Sequence, residues 1–170
     1  MRMSNSSCVV VCAGGNARLF TLEPAELPEL ESGPNLVACG EVTSEEVGVH
    51  GAALWSDLKT GRNRSPGGSA HGYDDHRDRH AEEYDRRFAQ EVAEQTRRLV
   101  DSRQLGRVVL VAHGHCLAHL RQAFHGRFRN GTSVAELSKD LGKLKPLEIH
   151  AHLARERLLP ERSGPRRLAS

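Results

Sequence analysis

The chain has 170 residues, of which 38% are hydrophobic, 27% charged and only 4% aromatic, and it carries a formal net charge of +2. That length suits a single domain with a lean core built on Leu, Val and Ala, and a mildly basic balance does not by itself mark a nucleic-acid binder. The apolar run from Cys8 to Ala13 is shorter than the roughly 7–15 residues of a secretory signal core and far below the ~18 of a membrane span. A cytoplasmic protein with no membrane partner is therefore expected.

Val9-Val10-Val11 is β-branched and closed by Gly14-Gly15, which predicts a buried strand ending in a turn. Ala17 to Leu22 continues as a second strand, hairpin-paired with the first. Glu23 to Pro34, rich in proline and glutamate, predicts a loop or irregular edge, and Asn35 to Val42 a third strand. From about residue 59 to 75 the chain has almost no apolar content, and Tyr73 is the only sizeable apolar side chain between Thr60 and Asp74. A segment that buries so little cannot offset an ordering cost of ~1–2 kcal/mol per residue, so a mobile loop is expected there.

Order returns with a helix over Asp75 to Ser102, on which Tyr84, Phe88, Val92, Leu99 and Val100 recur at helical spacing. Arg107 to Ala112 predicts a buried strand and Cys116 to Phe124 a helix with Leu117, Leu120 and Phe124 as its apolar stripe. A short strand follows over Thr132 to Leu137. The last helix is expected from Pro146 to about Leu159, with Leu147, His150, Leu153 and Leu158 on one face and Pro160 as its stop. Strands followed by helix-strand-helix predict an α/β fold, a mixed sheet with helices packed on it, over residues 1–160. The basic tail, 161–170, is expected to fray.

The chemical candidates are mostly histidines. His76 and His80 stand four apart, which puts them on one helical face and can hold zinc, although the zincin pattern is absent and Arg77 and Arg79 crowd the site. His113 and His115 lie between a buried strand and a helix, where α/β folds gather ligands and where an imidazole can exchange a proton near neutral pH. Cys116 starts that helix, a position that stabilises a thiolate. The four cysteines, Cys8, Cys12, Cys39 and Cys116, form no close Cys-x-x-Cys pair and read as reduced, buried thiols. No phosphate-binding loop, dinucleotide glycine pattern or nucleophile elbow is present, so no cofactor is expected.

Several segments together resemble the bacterial host-attachment protein family. Val9-Val10-Val11 followed by Asn16-Ala-Arg-Leu-Phe20 is similar to the family's opening. The run of Glu82, Glu83, Arg87-Phe88-Ala89 and Glu91-Val92-Ala93 is similar to its acidic helix. Val108 to Ala112 with Leu117 and Leu120 resembles its central strand and helix, and Lys139-Asp140-Leu141 with Leu144, Pro146, Glu148-Ile149 and His152-Leu153 its closing stretch.

That family is similar in turn to the central domain of archaeal and eukaryotic class-1 release factors and of Pelota. The resemblance therefore implies a ribonuclease-H-like or ribosomal-protein-like sandwich, with a ribosome or RNA as partner. It also draws attention to Arg62, Arg64, Gly67, Gly68, Lys139 and Asp140 as binding residues. Gly67-Gly68-Ser69 stands where release factors carry Gly-Gly-Gln, and without the glutamine peptide release is not expected. A non-catalytic binding protein is the implied function. The rival is a phosphatase or other hydrolase using the His113/His115 corner, because the segment from Arg107 to Phe124 is also similar to the second-histidine segment of histidine phosphatases. Their first-strand nucleophilic histidine has no counterpart here.

Overall fold

The computed structural model of the chain describes residues 6–44 and 71–166, with side chains of the second span described from Arg79 onwards. Five strands form one sheet: β1 (Ser7–Ala13), β2 (Asn16–Glu23), β3 (Asn35–Thr43), β4 (Arg107–Ala112) and β5 (Ser133–Ser138), in the spatial order β3-β2-β1-β4-β5. The first three strands form an antiparallel meander, and β1, β4 and β5 run parallel. The described helices are α1 (His71–Arg103), α2 (Gly114–Phe124) and α3 (Pro146–Arg155). None is long and apolar enough to cross a membrane.

The sheet divides two apolar layers, and the alternation of side chains along each strand decides which residue enters which layer. Cys8, Val10 and Cys12 of β1, with Val108, Leu110 and Ala112 of β4, face α1 and α2. There they meet Phe88, Ala89, Val92, Ala93 and Val100 of α1, and Leu117, Leu120, Ala123 and Phe124 of α2. The intervening Val9, Val11, Val109 and Val111 face the opposite layer, where Ile149 and Leu153 of α3 join Phe20, Leu22 and Leu141. A strand covered on both faces needs an unbroken apolar run, which is why β1 and β4 were legible as buried.

The turns follow from local chemistry. Gly14 and Gly15 take φ of 56° and 76° in the two-residue β1–β2 loop, the paired positive φ of a type I′ turn. Helices α1 and α3 end at left-handed non-glycine residues, Gln104 (φ 51°) and Arg157 (φ 58°). Beyond each, the next leucine returns a six-to-one hydrogen bond, Leu105 N–H to Val100 O at 3.0 Å and Leu158 N–H to Leu153 O at 2.9 Å. At the start of α3, the N–H of Lys145 donates to Glu148 Oε2 at 2.8 Å, tying down the first turn.

Four expectations need correction. Helix α1 begins at His71, so the stretch from 71 to 74 assigned to a mobile loop is helical; a glycine and polar neighbours, which suggested a loop, are also tolerated in the first turn of a helix. The rest of that loop, residues 59–70, lies outside the described residues. Helix α3 ends at Arg155, a full turn before the proline expected to stop it, because the Arg157 turn has already reversed the chain. Its buried face is Ile149, His150 and Leu153, while Leu147 is exposed.

Nor does the segment from Glu161 to Arg166 fray. Ser163 and Gly33 exchange two backbone hydrogen bonds at 2.9 and 3.1 Å, Arg166 N–H reaches Pro28 O at 2.8 Å, and Arg162 donates to Asn35 Oδ1 and Ser32 O. Composition marks this tail as polar, but the backbone groups of 28–35 supply it with partners.

Arg18 holds the loop between β5 and α3. Its guanidinium donates to the carbonyls of Leu141, Gly142 and Leu144 at 3.2, 2.9 and 3.0 Å. Gly142 lies so close to β1 that a Cβ there would come within 2.4 Å of Ala13 Cβ. Arg18→Ala strands three acceptors and is expected to lower stability by about 2–4 kcal/mol. Arg18→Lys recovers only part, since an ammonium lacks the planar fork. Gly142→Ala is expected to cost about 1–3 kcal/mol through overpacking. Urea denaturation checks all three, and an unchanged midpoint for Arg18→Ala would show that Arg18 does not clamp the loop.

Glu94 joins α1 to the segment after α2, bonding Arg97, Arg98 and Arg127. The Arg97 hydrogen bond is the main cause that lowers its carboxyl from 4.5 to about 2; the charge of Arg97 and the Arg98 bond add to this, and partial desolvation opposes it. A depressed folded-state value stabilises fully above the unfolded value and is lost as pH falls through the folded one. Wild type is therefore expected to be more stable than Glu94→Gln at neutral pH, with the gap closing between pH ~4.5 and ~2 in acid titrations of stability.

Candidate functional site

The carboxyl ends of β1 and β4, adjacent and parallel, meet the amino end of α2 and the middle of α1. In open α/β sheets this is where ligands collect. The link from β4 to α2 is a single residue, His113, followed by Gly114 at φ 61°, a conformation that a side chain would strain. His113 is in extended conformation and makes no side-chain cap hydrogen bond. The first N–H groups of α2 are thus left without a capping side chain, and the first turn carries no acidic residue.

A cavity of about 310 Å³ opens at this corner, walled by Gly14, Gly15, Asp85, Phe88, Ala89, Cys116 and His119. Cys116, the third residue of α2, is half-buried in its wall, and its Sγ lies 3.1 Å from the Sγ of Cys12 at the end of β1. Both thiols are free. The two sulfurs are not equivalent. The hydrogen bond from Cys12 lowers the Cys116 thiol below its ordinary value, opposed by burial and by the Asp85 carboxylate. The same bond, followed by burial, raises Cys12 strongly. When this pair loses a proton, the charge therefore falls on Cys116, at a helix amino end that favours it. Cys8, deeper in the same layer, is pushed up to about 12 chiefly by burial.

The predicted site residues do not assemble into one place. His113 and His115 are exposed at the corner and neither lines the cavity; His119, one turn on, does. His80 is exposed on α1, the side chain of His76 lies outside the described residues, and among the described residues no cluster of three or more metal-type ligands forms. Arg62, Arg64, Gly67 and Gly68 lie outside the described residues. Lys139 donates to Glu156 Oε1 at 2.9 Å, fastening the end of β5 to the end of α3, and Asp140 Oδ1 accepts from Gly142 N–H at 3.1 Å. Both therefore shape the loop that Arg18 clamps. The arrangement missed from sequence is the Cys12–Cys116 pair, with Asp85 and His119 beside it. Cys12 and Cys116 are 104 positions apart, and only the pairing of β1 with β4 brings them together.

A larger cavity, about 500 Å³, lies between the segment 24–34 and the segment 163–166. Pro24, Ala25, Pro28, Pro34 and Leu22 make its walls, with Glu31 and Arg166 also lining it. Ser6 and Ser163 line it too, but no cysteine or histidine does, so the thiol corner is the better equipped chemically.

These features define a three-layer α/β domain with an open mixed sheet. The chain belongs to the family described as "Protein required for attachment to host cells", whose model matches residues 8–153. No curated protein matches it.

Asp85 raises the Cys116 thiol. Asp85→Asn is therefore expected to shift the pH midpoint of Cys116 alkylation further down, which iodoacetamide labelling followed by peptide mapping measures. A midpoint that rises, or does not move, would show that Asp85 does not face the thiol.

Proposed function

We propose that this host-attachment protein is a non-catalytic binding protein that reaches a large partner through the leading end of α1, and that the partner is a ribosome or another RNA assembly. The observation that carries the reading is the length and exposure of α1. Its 33 residues extend for about 50 Å at 1.5 Å per residue, roughly twice the reach of the 6- to 9-residue strands. Every side chain from Arg79 to Glu83 is exposed, and the first buried one among the described residues is Phe88. The stretch from Arg79 to Glu83 is thus not used by the core. The resemblance to release-factor central domains supports the choice of partner, because there a long charged helix follows the loop that enters the ribosome. Gly67-Gly68-Ser69 lacks the glutamine of that loop, so binding without peptide release is the expected outcome.

Seven arginines of the packed part of the domain are held by carboxylates, which favours a restricted contact over a broad basic face. Arg87, Arg97, Arg98, Arg103, Arg121, Arg127 and Arg129 each pair with a carboxylate. Arg127 also bonds Gln90. The hydrolase alternative gains no support from geometry, since His113 and His115 are exposed and neither lines the cavity that holds Cys116.

Sedimentation with ribosomes tests the reading. The protein is expected in ribosomal fractions at low salt and released as salt rises, with a shallower salt dependence after Arg62→Glu and Arg64→Glu if those groups hold phosphates. Absence from every ribosomal fraction at low salt would exclude the ribosome. Retention there that is indifferent to salt would exclude a phosphate contact.

A further inference from the structure

We propose that Cys116 is a site of oxidation by hydroperoxides and that Cys12 is its resolving thiol, so that the pair closes a reversible disulfide between β1 and α2. Three independent features converge on this assignment. The sulfurs are 3.1 Å apart, so closing to the ~2.05 Å of a disulfide requires an approach of only about 1 Å. Cys116 opens onto a cavity of about 310 Å³ that admits a small peroxide, whereas Cys12 is almost fully buried behind it. Cys116 also sits in the first turn of an uncapped helix, in the position that an anion occupies most readily.

The asymmetry of the pair sets the order of events. Cys116 carries the thiolate character, for the hydrogen-bonding reason given above, and attacks the distal oxygen of the peroxide. The S–O bond forms as the O–O bond breaks, and the departing oxygen leaves as alkoxide or hydroxide and takes a proton from water. Sulfur is oxidised by two electrons to a sulfenic acid and the peroxide is reduced to an alcohol or water. The Cys12 sulfur then attacks the sulfenic sulfur. The S–S bond forms, the S–O bond breaks, and hydroxide leaves with the Cys12 proton as water. Two thiols and one hydroperoxide thus give one disulfide, one alcohol (or water) and one water. A dithiol reverses the reaction by exchange, itself becoming the disulfide.

The other two cysteines serve as internal controls. Cys8 is fully buried in the same layer. Cys39 is half-buried on β3, in contact with Thr21 Oγ1 and Val37 O, far along the sheet from the thiol corner.

The experiment treats the full chain with equimolar hydrogen peroxide and maps the products by mass spectrometry. Expected are the loss of two hydrogens, a cross-linked peptide pair holding Cys12 and Cys116, and recovery of both thiols with dithiothreitol. Closing so long a loop should also raise the melting temperature by roughly 10 °C. With Cys12→Ser, the sulfenic acid has no resolving partner and a dimedone adduct should accumulate on Cys116, at least about tenfold faster than on Cys39. With Cys116→Ser, no intramolecular disulfide should form. Oxidation directed to Cys39, disulfides formed only between molecules, or a wild-type chain in which Cys12 and Cys116 stay reduced while peroxide is consumed would each overturn the proposal. The mapping of the wild-type chain decides the matter even where a serine variant does not fold.

Discussion

The rest of the molecule depends on β1 being dry on both faces and bonded on both edges. Residues Ser7 to Cys12 are buried, β2 pairs antiparallel on one side and β4 parallel on the other. No water reaches the backbone of such a strand, so every N–H and C=O must find its partner within the sheet. That requirement fixes the register of the two neighbours. A slip of one residue would exchange the layers, placing Val9 and Val11 against α1 and α2, and Cys8, Val10 and Cys12 against α3. The position of α2 over the end of β1 follows from the same constraint, and with it the meeting of the two thiols.

Arg18 shows how the second layer is joined to this strand. It sits on β2 next to β1, between Ala17 and Leu19, which face the helical layer of α1 and α2. It therefore points the other way, over the Phe20 ring at 5.5 Å and into the carbonyls of the loop leading to α3. A positive group is tolerated there because three carbonyl oxygens accept its protons. Arg18 meets the loop through carbonyls alone, so its contact depends on backbone shape rather than on the identity of the loop's side chains.

The sequence exposed those parts of the fold that depend on local pattern and hid those that depend on pairing. The strand over Arg107–Ala112 was readable to the residue, because a β-branched run bounded by glycine and histidine admits one interpretation. The start of α1 and the end of α3 were not. Pro160 looks like the terminator of α3, but a left-handed turn at Arg157 acts earlier, and arginine does not advertise a positive φ. On α3 the spacing of Leu147, His150 and Leu153 suggested a face, whereas Ile149 and Leu153 occupy the core and Leu147 faces solvent. The tail's polar composition concealed its docking, since backbone hydrogen bonds leave no mark on side-chain character. Of the candidate site, the strand-to-helix corner itself was legible from Val108–Ala112 and the helix start. The choice of Cys116 and His119 over His113 and His115 was not, because it depends on which side of α2 faces the Gly14-Gly15 turn.

One feature of β3 bears on how copies of this chain behave in crowded solution. An open sheet offers unpaired backbone groups along its outermost strands, and a long regular edge invites a second molecule to add to it. The pairing of β2 with β3 shifts between Leu19 and Phe20, leaving Cys39 as an extra residue. Asn35 to Ala38 and Gly40 to Thr43 are therefore two runs of four paired residues, out of step with each other. A strand arriving from another molecule could match one run only by losing the other. The irregularity that looks like a flaw in the ladder thus disfavours the addition of a further strand at this edge.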